Sequence, residues 1–149
     1  MSRLAVCILL LTAVAACTQP GPPLLVSNAV VIAPLPGRSN TVAYMTLINQ
    51  SREPIVLQKF SSPQFASIEI HETVIYDGVA RMQQRDSITV EANSSAEFVA
   101  GGKHLMLIEP LAGLIPGKPI TIEIHYDDGG LLLVDTRLKS RQQAGGQSR

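Results

Sequence analysis

The chain has 149 residues, 12 basic and 12 acidic side chains, and a formal net charge of zero at pH 7. This balance, with only 4% aromatic residues, excludes the basic stripe with interleaved aromatics that is typical of nucleic-acid-binding surfaces, so no nucleic-acid partner is predicted. The length predicts one domain that is large enough to bury its own apolar core.

The N-terminus has the features of a bacterial lipoprotein signal. One positive charge, Arg3, precedes an apolar run from Leu4 to Ala16 that is too short to span a bilayer. The run ends in Val-Ala-Ala-Cys17, which resembles a lipobox, so residues 1–16 are predicted to be removed and Cys17 to carry a diacylglycerol. The alternative is ordinary secretion after a small-residue site such as Ala13 to Ala15. Residues 17–23 then form the lipidated cysteine and a proline-rich spacer.

A lipid on Cys17 predicts a location in the bacterial cell envelope, facing the periplasm and attached to a membrane. Thr18 follows the cysteine where aspartate would favour inner-membrane retention, and this slightly favours the outer membrane. The chain has two cysteines, of which Cys7 leaves with the signal and Cys17 is used for lipid. The predicted folded domain, residues 24–139, therefore has no disulfide and no thiolate ligand.

Short apolar or alternating runs recur through residues 24–139, separated by Pro, Gly, Asn and Asp. Their length and composition predict β-strands in one all-β sandwich or barrel. The runs are Leu24–Ala33, Val42–Asn49, Ile55–Phe60, Ala66–Val74, Val79–Gln84, Ser87–Val90, Ala96–Val99, His104–Glu109, Ile120–Tyr126 and Leu131–Leu138. Asp77-Gly78 and Asp128-Gly129 are both predicted to form tight primed hairpin turns, because glycine adopts positive φ easily. Residues 140–149, rich in Gln, Gly and Ser, are predicted to be disordered.

Two histidines and two methionines follow the pattern H-x10-M-x21-H-x-M, namely His71, Met82, His104 and Met106. Thioether sulfur is a soft donor and imidazole also suits copper, so this set favours one Cu(I) ion over hard cations. Without a cysteine ligand, a blue-copper electron carrier and a cysteine-based zinc site are both disfavoured.

Strand geometry predicts that these four side chains can converge. A two-residue turn at Asp77-Gly78 makes His71 and Met82 diagonal neighbours on one face of a hairpin. Because side chains alternate along a strand, His104 and Met106 also share a face.

Three local sequences resemble the PCu(A)C family of periplasmic copper chaperones. They are Glu69-Ile-His-Glu-Thr73, Arg81-Met82 and Gly101-Gly-Lys-His-Leu-Met-Leu107, and the resemblance extends from about Val26 to Asp135. It implies a single-domain, cupredoxin-like Greek-key β-sandwich that binds one Cu(I) ion near its surface. It also implies partners that donate or accept copper, such as a subunit of haem-copper (cytochrome c) oxidase and a Sco-type protein.

The sequence is also compatible with two other functions. The protein is then either an envelope β-sandwich lipoprotein that binds a protein partner without metal, or a protein for copper buffering or tolerance without delivery. An enzyme is not predicted, because the sequence has no G-x-S-x-G elbow and no H-E-x-x-H helix.

Several residues near the motif have their own interpretations. Met45 is predicted to fill the core, and His125 to be a surface histidine at a strand end. Glu69, Glu72 and Asp77 are candidates to orient the imidazole of the motif histidine beside them, the alternative being simple surface carboxylates.

Overall fold

The computed structural model describes residues 22–111 and 113–144. The predicted signal segment, Cys17 and residues 145–149 lie outside this part of the chain. Ten strands are present within it, and all ten predicted runs correspond to them. Their bounds are β1 Leu24–Ile32, β2 Asn40–Asn49, β3 Ile55–Ser61, β4 Phe65–Tyr76, β5 Val79–Arg85, β6 Ile88–Val90, β7 Ser95–Phe98, β8 Lys103–Pro110, β9 Pro119–Tyr126 and β10 Leu131–Lys139.

Hydrogen-bonded ladders join the strands in the order β5-β4-β8-β7-β2-β1-β10-β9-β3-β6, with β8 also pairing with β2. The β1–β10 ladder is parallel and short, joining Val31 to Leu138 and Ile32 to Lys139. At this junction the sheet folds over, so that β5, β4, β8, β7, β2 and β1 form one layer and β10, β9, β3 and β6 form the other.

Alternate apolar side chains from both layers fill the space between them. Ile122 of β9 and Leu105 of β8 have no exposed surface, and the rings of Phe60 and Phe98 contact across the layers with centroids 6.1 Å apart. Met45 is 2% exposed and belongs to this core, as predicted. The prediction of an all-β sandwich is confirmed.

The turn between β4 and β5 fixes the register of the hairpin that carries two motif residues. Asp77 and Gly78 both have positive φ, 49° and 74°, and Tyr76 pairs with Val79. This is the predicted two-residue primed turn, and it is confirmed.

The second predicted primed turn, Asp128-Gly129, is wrong in its type. Gly129 has positive φ, but its N–H donates to the carbonyl of Tyr126 at 3.2 Å, and the Tyr126 N–H donates to the carbonyl of Gly130 at 2.9 Å. Three residues, Asp127 to Gly129, therefore form the loop. The Asp128 carboxylate also accepts from the Gly130 N–H at 2.8 Å, an aspartate bond to backbone that stabilises this longer turn.

Residues 140–144, the first half of the segment predicted to be disordered, are described by the structure. Arg141–Ala144 form one helical turn, α1, because arginine, glutamine and alanine all favour helix. None of the helices within residues 22–144 is long and apolar enough to cross a membrane.

Glu72 links β4 to both of its neighbours. Its carboxylate accepts from the Arg85 guanidinium of β5 at 2.8 Å and lies 3.4 Å from Lys103 Nζ of β8. Partial burial alone would raise the pKa of Glu72, but hydrogen bonds and positive charge from Arg85 and Lys103 hold this pKa below its ordinary value.

We expect this clamp to stabilise the fold only while Glu72 is ionised. Because the folded-state pKa is depressed, the contribution is fully present above the unfolded-state pKa and is lost as pH falls through the folded-state pKa. Glu72→Gln should lower the free energy of unfolding at pH 7 by no more than about 1 kcal/mol, since Arg85 and Lys103 are well solvated. The difference from wild type should shrink as the pH falls to about 3.

Urea denaturation at both pH values measures this effect. Glu91→Gln, at an exposed position, is the matched control. A Glu72→Gln difference that is equal at the two pH values would contradict the proposed electrostatic origin.

Candidate metal centre

His71 of β4 and His104 of β8 lie directly opposite each other in the antiparallel ladder between these strands. Their imidazole centroids are 5.9 Å apart and the rings are tilted by 47°. The adjacent residues Ile70 and Leu105 point into the core, being 4% and 0% exposed. Alternation along each strand therefore directs both imidazoles to the outer face of the sheet.

The two methionines share that outer face. Met106 lies two residues from His104 on β8 and opposite Glu69 of β4. Met82 lies on β5 opposite Thr73, which is two residues from His71. The prediction that His71 and Met82 are diagonal neighbours is therefore confirmed, and all four motif side chains occupy one face of three neighbouring strands. Diagonal neighbours of this kind have backbones about 7–8 Å apart, within reach of long side chains.

Exposure differs between the two sulfur donors. Met82 is 54% exposed, whereas Met106 is partly buried. The face is thus closed on the β8 side and open to solvent on the β5 side.

A backbone carbonyl fixes the tautomer of His104, which is only 5% exposed. Its Nδ1 lies 3.0 Å from the carbonyl oxygen of Gly102. Because a carbonyl only accepts, Nδ1 carries the proton in the neutral ring and Nε2 retains the lone pair. The carbonyl is presented by a turn in which the Gly102 N–H donates to Val99 O at 3.1 Å and Gly101 has a φ of 79°.

His71 is held in the opposite tautomer by a side chain. Its Nε2 lies 2.8 Å from the Glu69 carboxylate, which accepts the Nε2 proton and leaves the lone pair on Nδ1. Nδ1 is buried and has no hydrogen-bond partner among the described residues. Such an unsatisfied buried nitrogen is unfavourable unless a further group binds it, and a metal ion on the outer face would do so.

The donor set suits a soft cation. Across residues 22–111 and 113–144, no group of three or more His, Cys, Asp or Glu side chains is arranged to hold a metal ion. The candidate set instead combines two neutral imidazole nitrogens with two thioether sulfurs, which is chemistry that favours Cu(I). Each imidazole has an acceptor on its other nitrogen, the arrangement that usually orients metal-bound histidines.

The three carboxylates that were candidates to orient His71 have different partners in the structure. Glu69 contacts the ring, Glu72 points to the other face and pairs with Arg85 and Lys103, and Asp77 lies in the hairpin turn. The Gly102 carbonyl was not predicted, because a backbone acceptor leaves no signal in sequence beyond the glycine pair that makes the turn possible.

His125 lies away from this centre, near the end of β9 in the other layer, as predicted. It is 34% exposed, and its Nε2 lies 2.7 Å from Ser61 Oγ, which donates to the Glu123 carboxylate at 2.6 Å. Ser61 thus links His125 to Glu123 in a hydrogen-bond network. This network lies in the other layer, separate from the candidate ligands.

Residues 24–137 match the LpqE-like family, described as "Putative lipoprotein LpqE-like". "Uncharacterized protein RP573" of Rickettsia prowazekii is 32% identical over 101 residues, which cover 67% of this chain and 56% of that protein. "Putative lipoprotein Lxx21020" of Leifsonia xyli subsp. xyli is 29% identical over 94 residues, which cover 62% of this chain and 57% of that protein. The chain thus spans little more than half the length of these two relatives.

Solved structures share the fold over a greater length. The solution structure of CuI-DR1885 from Deinococcus radiodurans superposes with a TM-score of 0.66 at 30% identity, covering 85% of this chain and 84% of that one. The copper-bound PCuAC domain from PmoF2 gives a TM-score of 0.67 at 19% identity, covering 82% and 97%. The similarity to PCu(A)C proteins predicted from sequence is confirmed, and the match over residues 24–137 shows that the chain belongs to the LpqE-like family.

Proposed function

We propose that this protein is a copper metallochaperone of the bacterial envelope that binds one Cu(I) ion through His71, Met82, His104 and Met106. The observation that carries this proposal is the pairing of the two histidines across the β4–β8 ladder, each with one ring nitrogen engaged and the other bearing a lone pair. The copper-bound PmoF2 domain and the CuI form of DR1885, which share the fold, support the choice of metal.

Charge favours the cuprous ion as cargo. Two imidazoles and two thioethers add no negative charge to the ion, so the extra charge of Cu(II) would be poorly compensated. The Glu69 carboxylate is hydrogen-bonded to His71, so its negative charge would act on the ion only through the imidazole ring. Copper held this way can pass to acceptor sites that include thiolates, because thiolates are stronger, anionic soft donors.

The unequal exposure of the two sulfurs suggests how transfer proceeds. Met82 is 54% exposed, so an incoming ligand can replace its thioether first. The two histidines and Met106 still hold the ion during this step. Copper moves as cargo through exchange of ligands, and no bond in a substrate is made or broken, so the protein acts without catalysis.

The N-terminal sequence completes the proposal. A lipid on Cys17 holds the domain at the periplasmic side of an envelope membrane, with the outer membrane slightly favoured, and the lipoprotein names of the family and of one relative support such an anchor. The partners are copper donors and acceptors, among them a haem-copper oxidase subunit and a Sco-type protein.

Removing one sulfur should weaken copper binding without disturbing the fold. We expect anaerobic titration against a chromogenic Cu(I) chelator to show one tight equivalent. Met82→Leu and Met106→Leu should each lower the affinity by at least about tenfold, since even outer-shell changes cost that much at metal sites. The matched control is Met45→Leu, a core substitution of similar volume that should leave the affinity unchanged.

Histidine offers a second matched pair for the same titration. His104→Ala should abolish tight binding, whereas His125→Ala should retain it. A protein that shows no response to Cu(I) would instead favour a lipoprotein that binds a protein partner without metal.

Glu69 should raise copper affinity by fixing the tautomer of His71. We expect Glu69→Ala to weaken Cu(I) binding by about 10–100-fold, as for other outer-shell partners of metal-bound histidines. Glu72→Ala, on the same strand but the opposite face, is the control and should bind copper normally. Nitrogen NMR of the His71 ring should show the proton on Nε2 in the wild type and a mixture of tautomers in Glu69→Ala; equal ring spectra would contradict the role of Glu69.

Delivery is tested separately from binding. A strain lacking this protein should assemble less active haem-copper oxidase under copper limitation, and added copper or wild-type protein should restore activity, but Met82→Leu protein should not. Normal oxidase assembly in that strain would reject delivery to oxidase and favour buffering or tolerance.

A further inference from the structure

The spacer between the proposed lipid and the folded domain is short. Cys17 is five residue steps from Pro22, the first described residue. A fully extended chain spans at most about 3.3–3.6 Å per residue, so Cys17, at the bilayer surface, lies within about 18 Å of Pro22. The surface surrounding Pro22 must therefore approach the membrane.

That surface carries an apolar patch. Pro22 lines two clefts. One has a volume of about 370 Å³ and is also lined by Ile55 and Leu131. The other has a volume of about 270 Å³ and is also lined by Leu25 and Leu133. These three leucines, Leu25, Leu131 and Leu133, are 37%, 53% and 58% exposed, and we call them the anchor-side leucine patch. Contiguous exposed apolar side chains on a soluble domain usually mark a surface that contacts a partner or a membrane.

The clefts exist because two strands diverge. β1 and β10 pair only at Val31–Leu138 and Ile32–Lys139, at the end of β1 farthest from Pro22. Nearer Pro22 no ladder between these two strands closes the sandwich, so their leucines reach the surface.

The charges around the patch select a type of lipid. Asp127 and Asp128 line the first cleft and Asp135 lines the second, and neither lining includes a lysine or an arginine. Carboxylates repel anionic headgroups and attract ammonium groups. A zwitterionic surface with primary ammonium groups, such as phosphatidylethanolamine, fits this combination of leucines and carboxylates.

We propose that the anchor-side leucine patch rests on the phosphatidylethanolamine-rich bilayer that holds the lipid anchor, and so fixes the orientation of the domain. This inference rests on the anchor in the proposed function. It requires no new partner, because the short spacer already brings the patch to the bilayer.

Ladder register shows where this orientation places the metal centre. Leu105 pairs with both Ala43 of β2 and Ile70 of β4, so β2 and β4 run in the same direction at the same level. Six residues on, Asn49 pairs with Leu24 beside the patch, and Tyr76 reaches the corresponding level of β4. The β4–β5 turn thus lies at the membrane end, and Met82, three residues along β5 from Val79, is held about 10 Å above it. The candidate copper face opens sideways, toward membrane-bound acceptors.

Single-tryptophan variants test this orientation directly. The chain has no tryptophan, and Cys17 is the one cysteine left after residue 16. The chain from Cys17 can therefore be coupled through that thiol to a maleimide lipid in phosphatidylethanolamine–phosphatidylcholine vesicles. Leu131→Trp and Leu133→Trp probe the patch, and Leu35→Trp, 46% exposed in the loop at the opposite end of β1, is the matched control.

We expect lipids with brominated acyl chains to quench Leu131→Trp and Leu133→Trp several-fold more strongly than Leu35→Trp, with a blue shift on coupling. Replacing phosphatidylethanolamine with phosphatidylglycerol should reduce the quenching. Two patch variants are used so that local misfolding of either Leu131→Trp or Leu133→Trp still leaves one probe of the patch. Equal quenching at both ends, or none at the patch, would overturn the orientation. A blue shift that grows with protein density without bromine quenching would show that a second copy covers the patch, and stronger quenching in phosphatidylglycerol would overturn the choice of headgroup.

Because the maleimide lipid supplies the anchor, the result does not depend on lipidation of Cys17 in cells. Copper titration of the same vesicles reports independently on the metal centre. Failure of the orientation and failure of the proposed copper function can therefore be told apart.

Discussion

The register of the β4–β8 ladder is the constraint on which the candidate site depends. His71 faces His104 only because Ile70 faces Leu105 in the core one residue away. A slip of either strand by one residue would turn the histidine of that strand inward and its apolar neighbour outward, separating the two imidazoles. Burial of each such side chain stabilises the fold by about 1.5–3 kcal/mol, so the hydrophobic core holds the two imidazoles together.

Register also positions Met82 in the β4–β5 hairpin. The positive φ at Asp77 and Gly78 permits a two-residue turn, and this turn sets the parity that puts Met82 on the face of His71. On the other side, β8 carries His104 and Met106 at alternate positions, so they need no special turn to share a face. The four candidate donors thus come from three adjacent strands whose register brings them to one face.

Two acceptors orient the imidazoles of the proposed copper site. Glu69 and the Gly102 carbonyl each accept a ring proton, but they engage different nitrogens, Nε2 in His71 and Nδ1 in His104. The lone pairs are therefore available at Nδ1 of His71 and Nε2 of His104. Nδ1 of His71 is buried and has no hydrogen-bond partner among the described residues, and a bound metal ion would supply one.

Sequence alone determined the strands, the first hairpin turn and the face shared by His71, Met82, His104 and Met106, because these follow from local alternation and from glycine at a turn. It was wrong about the Asp128-Gly129 turn type, which depends on a side-chain bond to Gly130. It left open which carboxylate orients His71, because Glu69, Glu72 and Asp77 all lie within six residues of it along the chain. Only the tertiary structure decided that Glu69 does so, that Gly102 holds His104, and that the leucines near Pro22 are exposed. The two contacts to the imidazoles join residues two apart, but they need side-chain and turn conformations that a strand pattern does not specify. The exposure of the leucines depends on where the β1–β10 pairing ends, and such long-range pairing is not encoded in any local pattern.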